Sequence, residues 1–136
     1  MSKDEALTVH QNKWQVLGVV GVGTFVMALN ASMMNIAVPF IGAYFNARMS
    51  VVEWVLMAFL LVISTLLLTF GRLGDMYGFK KIYLLGALIF TASSVLCGIA
   101  PSIFNLILFR IVQGIGAAMV MAVGPAMITS AFPPQE

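Results

Sequence analysis

Arg110 is the one charged side chain inside the last of four long apolar runs, and Gln113 follows it by one helical turn. On a helix Arg110, Gln113, Gly114, Ala117, Ala118 and Met121 share one face, because residues three and four apart stack above each other. A guanidinium and an amide beside small residues make a polar interior lining. A charge at mid-bilayer costs about 2.5–3.5 kcal/mol on insertion scales, so such residues turn to the interior of a bundle. The plainer alternative is an arginine that snorkels to the interface over a packed Gly114/Ala118 seam. Asn30 and Asn35 put two amides on different faces of the first run. They imply contact with both neighbouring helices and a wet interior. Met27 and Met34 share the Asn30 face and are candidate substrate contacts, since thioethers adapt to varied shapes. The alternative for them is ordinary lipid contact.

A second cluster lies between the second and third runs, where the chain reads Gly71-Arg72-Leu73-Gly74-Asp75-Met76-Tyr77-Gly78-Phe79-Lys80-Lys81. Gly71, Gly74 and Gly78 suit a tight turn between antiparallel helices, as glycine accepts positive φ. Asp75 is a single acid among bases, and with Lys80 it is a candidate latch. No Ser/His/Asp set, metal-ligand spacing or phosphate loop appears, so the chemistry on offer is recognition and movement. An enzyme, a metal site and a bound cofactor are not expected. Cys97 is the lone cysteine and sits in an apolar run, so it forms no disulfide within the chain. His10, the lone histidine, reads as a solvated tail residue.

The elements that hold these residues are membrane spans. Of 136 residues 61% are hydrophobic and 9% charged, with mean hydropathy +1.03. Soluble domains carry roughly 25% charge, so this chain lacks the polar surface to stay apart in water. A span takes about 20 apolar residues, and four spans with short loops fill the length. They are placed at about 14–41, closing with Pro39, then 54–70, 82–99 and 103–132, with a tail at 1–13 and a short loop at 133–136. The spans are expected to be helices, since a lone strand leaves its backbone unsatisfied in lipid. The first run far exceeds the roughly 7–15-residue core of a signal peptide, and an uncleaved span is expected. The predicted fold is an all-α membrane protein of four transmembrane helices.

Lys3 and Lys13 in the tail and Arg72, Lys80 and Lys81 in the second loop outweigh Arg48 in the first loop. The third loop has no base. The positive-inside rule then places both termini and the second loop in the cytoplasm. Trp14, Tyr44, Trp54, Tyr77 and Tyr83 fall near span ends, where amphipathic rings settle. Small-residue stripes predict helix packing. Gly21, Thr24, Ala28, Ser32, Asn35 and Pro39 form one, and Gly23, Met27, Asn30, Met34 and Ala37 another. Ala87, Thr91, Ser94 and Gly98 form a third, on the third span.

These residues carry a resemblance to the major facilitator superfamily. Gly71, Leu73, Asp75, Gly78 and Lys80 match its signature between helices two and three, G-x-L-a-D-r-x-G-r-k, with Met76 and Phe79 standing where bases are usual. Leu106, Arg110, Gln113, Gly114, Gly116, Ala117 and Ala118 match its helix-four signature, l-x-x-x-R-x-x-q-G-x-g-a-a. The stretch Leu29–Pro39 is similar to L-D-x-T-x-x-N-x-A-x-P, the helix-one signature of the fourteen-span drug:proton antiporters. Asn35, Ala37 and Pro39 match, Ser32 is a mild swap, and Asn30 replaces the acid.

The resemblance implies the first four helices of a proton-coupled multidrug or small-molecule exporter that works by alternating access. The proton gradient would be its energy source. Arg110, Gln113, Asn30 and Asn35 would line the interior or couple protons, although an amide at 30 cannot titrate. The loop of Gly71, Leu73, Asp75, Gly78 and Lys80 would latch the cytoplasmic side, and Gly114, Gly116, Ala118 and Pro39 would serve helix packing. Partners would be the lipid bilayer, the remaining transporter helices and an organic cation or amphiphile, with no nucleic acid. Complete members pair two six-helix halves, so four helices read as a fragment that does not transport alone. Two other readings stand beside this one: a four-span exporter that works as an oligomer, and a non-transporting membrane subunit that binds a partner chain.

Overall fold

The structure, a computed structural model, describes residues 3–132, with side chains from residue 13 onward. The side chains of Lys3 and His10 and the predicted 133–136 loop lie outside the described residues. Four helices follow one another: α1 (Lys3–Phe45), α2 (Met49–Tyr77), α3 (Phe79–Gly98) and α4 (Ile103–Ala131). Each is long and apolar enough to cross a membrane. At 1.5 Å per residue the 20 residues of α3 reach about 30 Å, the thickness of a hydrocarbon core. The chain is an all-α membrane fold.

The helices outrun the predicted spans. α1 does not close at Pro39 but continues to Phe45. A proline removes one backbone donor, and the bonds beyond it hold the helix. α1 ends where Asn46 turns left-handed (φ 48°) and the Ala47 N–H returns to the Gly42 carbonyl at 3.1 Å. α2 runs through Gly71, Arg72, Gly74 and Asp75 to Tyr77. The expected three-glycine turn is therefore a one-residue break at Gly78, whose φ of 100° and ψ of 136° suit only glycine. Charge marks where a helix leaves lipid, not where it stops. α4 starts on a Ser102 cap whose hydroxyl accepts from the Asn105 N–H at 3.3 Å.

α4 is the central helix. It packs most extensively on α3 and α2, less on α1, and is the most buried of the four, while α1 is the least. Three apolar clusters stack along the bundle. Val20, Ile82, Tyr83, Met119, Val120 and Val123 hold the end with the α2–α3 turn. Phe59, Phe90 and Ala117 hold another level. Val52, Val55, Ile103 and Leu106 gather by the α1–α2 and α3–α4 connections. Leu60, Leu61, Leu68 and Leu88 are exposed, as an outer surface bathed in lipid requires.

Several faces differ from their periodic reading. On α1 the Gly21, Thr24, Ala28, Ser32, Asn35 and Pro39 stripe is exposed, and the Gly23, Met27, Asn30, Met34 and Ala37 stripe is half-buried. On α3 the packed face is Ile82, Tyr83, Gly86, Phe90 and Ser93, while Thr91 and Gly98 point outward. Thr91 satisfies its hydroxyl on the Ala87 carbonyl of its own turn, at 2.8 Å. Met121 leaves the buried α4 face and is exposed. Trp14, Tyr44, Trp54 and Tyr77 are exposed, but Tyr83 is buried and donates to the Val19 carbonyl of α1 at 2.9 Å.

Candidate functional site: a buried guanidinium at an interhelical cavity

The close approach of α3 and α4 sets the site. A β-carbon on Gly116 would stand 2.7 Å from the Gly86 carbonyl and 2.6 Å from the Phe90 nitrogen. One on Gly86 would meet the Gly116 carbonyl at 2.9 Å. Two bare backbones therefore cross here, as small residues allow in membranes. On the α2 side Gly114 lies against the Phe59 carbonyl and Val62, where an added carbon would sit 3.1 Å and 3.2 Å away. Ala117 and Ala118 are fully buried between these contacts. Gly74, read as a turn residue, is instead a packing position against Val123 and Phe79.

That tight core turns Arg110 inward. Only 2% of the residue is exposed, so it does not snorkel toward lipid. Its guanidinium lies over the Phe59 ring of α2, with Cζ 4.0 Å from the centroid. Nε donates to the Val55 carbonyl in a long bond of 3.4 Å, and Nη1 donates to Gln113 Oε1 at 2.6 Å. Gln113 Nε2 then donates to the Ser94 hydroxyl of α3 at 2.8 Å, and Ser94 donates to the Phe90 carbonyl at 2.8 Å. A chain of polar groups thus runs from α2 through α4 to α3. The Cys97 thiol reaches Gln113 Oε1 at 3.9 Å. Charged donors make the stronger hydrogen bonds, and a fully satisfied buried network holds its members in one geometry.

This network borders a cavity of about 630 Å³ between α1, α3 and α4, within the roughly 300–1,000 Å³ of small-molecule sites. Asn30, Met34, Ser94, Cys97, Arg110 and Gln113 line it, with Phe45 and Phe90 on its apolar walls. Of the sequence-derived candidates, Arg110, Gln113, Asn30 and Met34 come together here. Asn35 is exposed and lies apart, as does Pro39. Met27 packs on the core beside a second groove between α1 and α3. Met33, which the sequence gave no reason to prefer, does border the cavity. Asp75 and Lys80 are exposed at the α2–α3 turn and, among the described residues, are not joined by an ion pair. Phe59 and Val55 were not legible as partners, because an apolar residue in an apolar span carries no signal of what it faces.

Fold and site define an all-α membrane protein with a charged polar centre buried among its helices. Residues 20–136 match the Major Facilitator Superfamily, and the chain belongs to it. It is 41% identical over 126 residues to the riboflavin transporter RibZ of Clostridioides difficile, covering 93% of this chain and 28% of that protein. It is 35% identical over 127 residues to a probable actinorhodin transporter of Streptomyces coelicolor, covering 93% and 22%. It is 36% identical over 124 residues to the multidrug resistance protein Stp of Mycobacterium tuberculosis, covering 90% and 23%. The chain thus spans about a quarter of the length of these relatives. No solved structure matches it.

Proposed function

We propose that these four helices form the opening part of a secondary exporter of small molecules. In this reading it is proton-coupled, works by alternating access and is of the fourteen-span drug:proton antiporter type. The observation that carries the reading is the Arg110 guanidinium, buried among three helices yet bordering a drug-sized cavity. A charge inside the membrane is costly, which makes such a residue a functional candidate by default. The relatives' names, a riboflavin transporter and a multidrug resistance protein among them, point the same way.

In this reading Arg110, Gln113 and Asn30 line the path, Met34 touches substrate, and Asn35 faces helices beyond these four. With Asn30 in the acid's place, the titrating group belongs to another helix. Asp75 and Lys80 act as the latch at the α2–α3 turn. Lys13, Arg72, Lys80 and Lys81 at one end, against Arg48 at the other, support a cytoplasmic membrane protein with both ends of this segment inside.

The test is export from energised cells of riboflavin, ethidium and fluorescein by the full-length protein, with and without Arg110→Ala. Export of at least one compound that Arg110→Ala sharply reduces, at equal membrane abundance, is expected. Export unchanged by the substitution removes the assigned role of Arg110.

A further inference from the structure

Three side chains meet around the Gln113 amide, and two of them come from α3. Ser94 and Cys97 stand one turn apart on the same face of that helix. Gln113 Nε2 donates to the Ser94 hydroxyl at 2.8 Å, while the Cys97 thiol lies 3.9 Å from Oε1, the oxygen that accepts from Arg110. α3 therefore brackets the amide at both ends. Ser94 is restricted in what it can do there. A hydroxyl has one proton, and Ser94 donates it to the Phe90 carbonyl at 2.8 Å. What remains toward Gln113 is an acceptor, which takes an amide N–H and refuses an amide oxygen. Phe90 is itself fixed, because its backbone nitrogen lies at the crossing with Gly116, where an added β-carbon would stand 2.6 Å from it. The close contact of α3 with α4 thus holds the Ser94 oxygen in place.

We infer that Ser94 is a positioning residue for Arg110: it fixes the plane of the Gln113 amide, and through it the direction in which the guanidinium faces the cavity. This inference deepens the transporter reading and rests on it. Nη1 meets Oε1 at 2.6 Å, whereas Nε reaches the Val55 carbonyl only at 3.4 Å. The Phe59 ring offers a face, which attracts a cation without choosing its rotation. The bond to Gln113 is therefore the directional restraint on the guanidinium, and a glutamine side chain is rich in rotamers. Without Ser94 the amide keeps Arg110 as a partner but loses its plane. A donor set in advance saves the cost of ordering it when substrate arrives, so the role falls on substrate affinity and not on turnover. The neighbouring Ser93 provides the contrast. It is more deeply buried than Ser94, yet its hydroxyl donates to the Ile89 carbonyl of its own helix at 2.6 Å and takes no part in the network.

The test is the concentration dependence of transport into energised inverted membrane vesicles by the full-length protein, for whichever of riboflavin, ethidium and fluorescein the parent carries. Ser94→Ala is expected to raise KM about threefold to tenfold, the worth of one hydrogen bond, with Vmax within about twofold of the parent. Ser94→Thr, which keeps the hydroxyl, is expected to restore KM, and Ser93→Ala to leave it where it was. With Gln113→Leu as the starting protein, Ser94→Ala is expected to raise KM no further. A KM unmoved by Ser94→Ala, matched by Ser93→Ala, left high by Ser94→Thr, or raised equally without Gln113 overturns the inference. Should the parent carry none of the three compounds, the failure lies with the transporter reading, and thermal unfolding decides the positioning role. Ser94 and Arg110 are joined through Gln113. The melting-temperature losses of Ser94→Ala and Arg110→Gln are therefore expected to be less than additive with Gln113 present and additive in Gln113→Leu. The same behaviour in both backgrounds overturns the inference.

Discussion

Arg110 Nη1 and Gln113 Oε1 lie 2.6 Å apart on successive turns of α4, and the other end of the same amide holds Ser94 of α3 at 2.8 Å. Gln113 thus links the buried cation to the neighbouring helix. An amide suits the place because it accepts from the guanidinium and donates to the hydroxyl at once, which neither a carboxylate nor an ammonium does.

Gln113→Leu removes both bonds while keeping the volume. It is expected to lower stability by about 2–3 kcal/mol, because a bond to a charged donor is lost and Ser94 loses its donor. Gln113→Glu restores the acceptor for Arg110 and gives up only the Ser94 bond, so it is expected to recover most of the loss. Thermal unfolding of the purified full-length protein in one detergent orders the three. Equal losses in both variants would show that the guanidinium bond contributes nothing.

The Phe59 ring beneath the guanidinium gives a second measurable coupling. Stacked desolvated cations gain about 2 kcal/mol from an aromatic face. Phe59→Leu with Arg110→Gln in a double-mutant cycle is expected to give a coupling of about 1–2 kcal/mol, since residues in contact depart from additivity. A coupling near zero would show that Phe59 serves Arg110 only as apolar packing.

How much of this was legible in the sequence divides by physical cause. Four apolar runs around the length of a bilayer made four membrane helices readable, because lipid leaves the backbone few alternatives. Arg110 with Gln113, Gly114 and Ala118 was readable because a charge and small residues at helical spacing stand out from an apolar background. Helix ends were not readable: α2 continues past Arg72 and Asp75 because those residues leave lipid without breaking the helix. Nor was the packed face of α3 in full: Gly86 and Phe90 face α4, whereas of the expected stripe Ala87 and Ser94 pack inward and Thr91 and Gly98 are exposed. Packing in lipid is decided by shape, and hydropathy does not distinguish a residue facing lipid from one facing another helix.

The Gly86–Gly116 crossing predicts a sharp size threshold. Gly116→Ala places a carbon 2.6–2.7 Å from two backbone atoms of α3, which have no flexible end to yield. The expected loss is about 2–3 kcal/mol, the upper range of overpacking. Gly114→Ala meets its neighbours at 3.1–3.2 Å and is expected to cost about 1 kcal/mol or less. Melting temperatures of the two variants side by side test the order. Gly114→Ala proving the worse would place the tighter contact between α2 and α4.

The Gly78 break predicts a conformational cost with no packing component. A β-carbon there meets nothing within 4 Å, so only the backbone opposes a side chain. At φ 100° and ψ 136° an L-residue is strained by about 1–3 kcal/mol. Gly78→Ala is expected to lower stability by that amount in thermal unfolding of the full-length protein. An unchanged melting temperature would show that the α2–α3 turn relaxes to a negative φ without loss.

Tyr83 and Gly23 make the last prediction. The Tyr83 hydroxyl reaches the Val19 carbonyl at 2.9 Å, and a β-carbon on Gly23 would collide with that hydroxyl. The absence of a side chain at 23 is what lets α3 bond the α1 backbone. Tyr83→Phe is expected to cost about 1 kcal/mol, the net worth of a hydrogen bond. Gly23→Ala is expected to cost more in the parent than in the Tyr83→Phe background, where the colliding oxygen is gone. The two substitutions are therefore expected to be less than additive by about 1 kcal/mol. Strict additivity in the unfolding of the double variant would mean that Gly23 serves α1 for a reason other than making room for Tyr83.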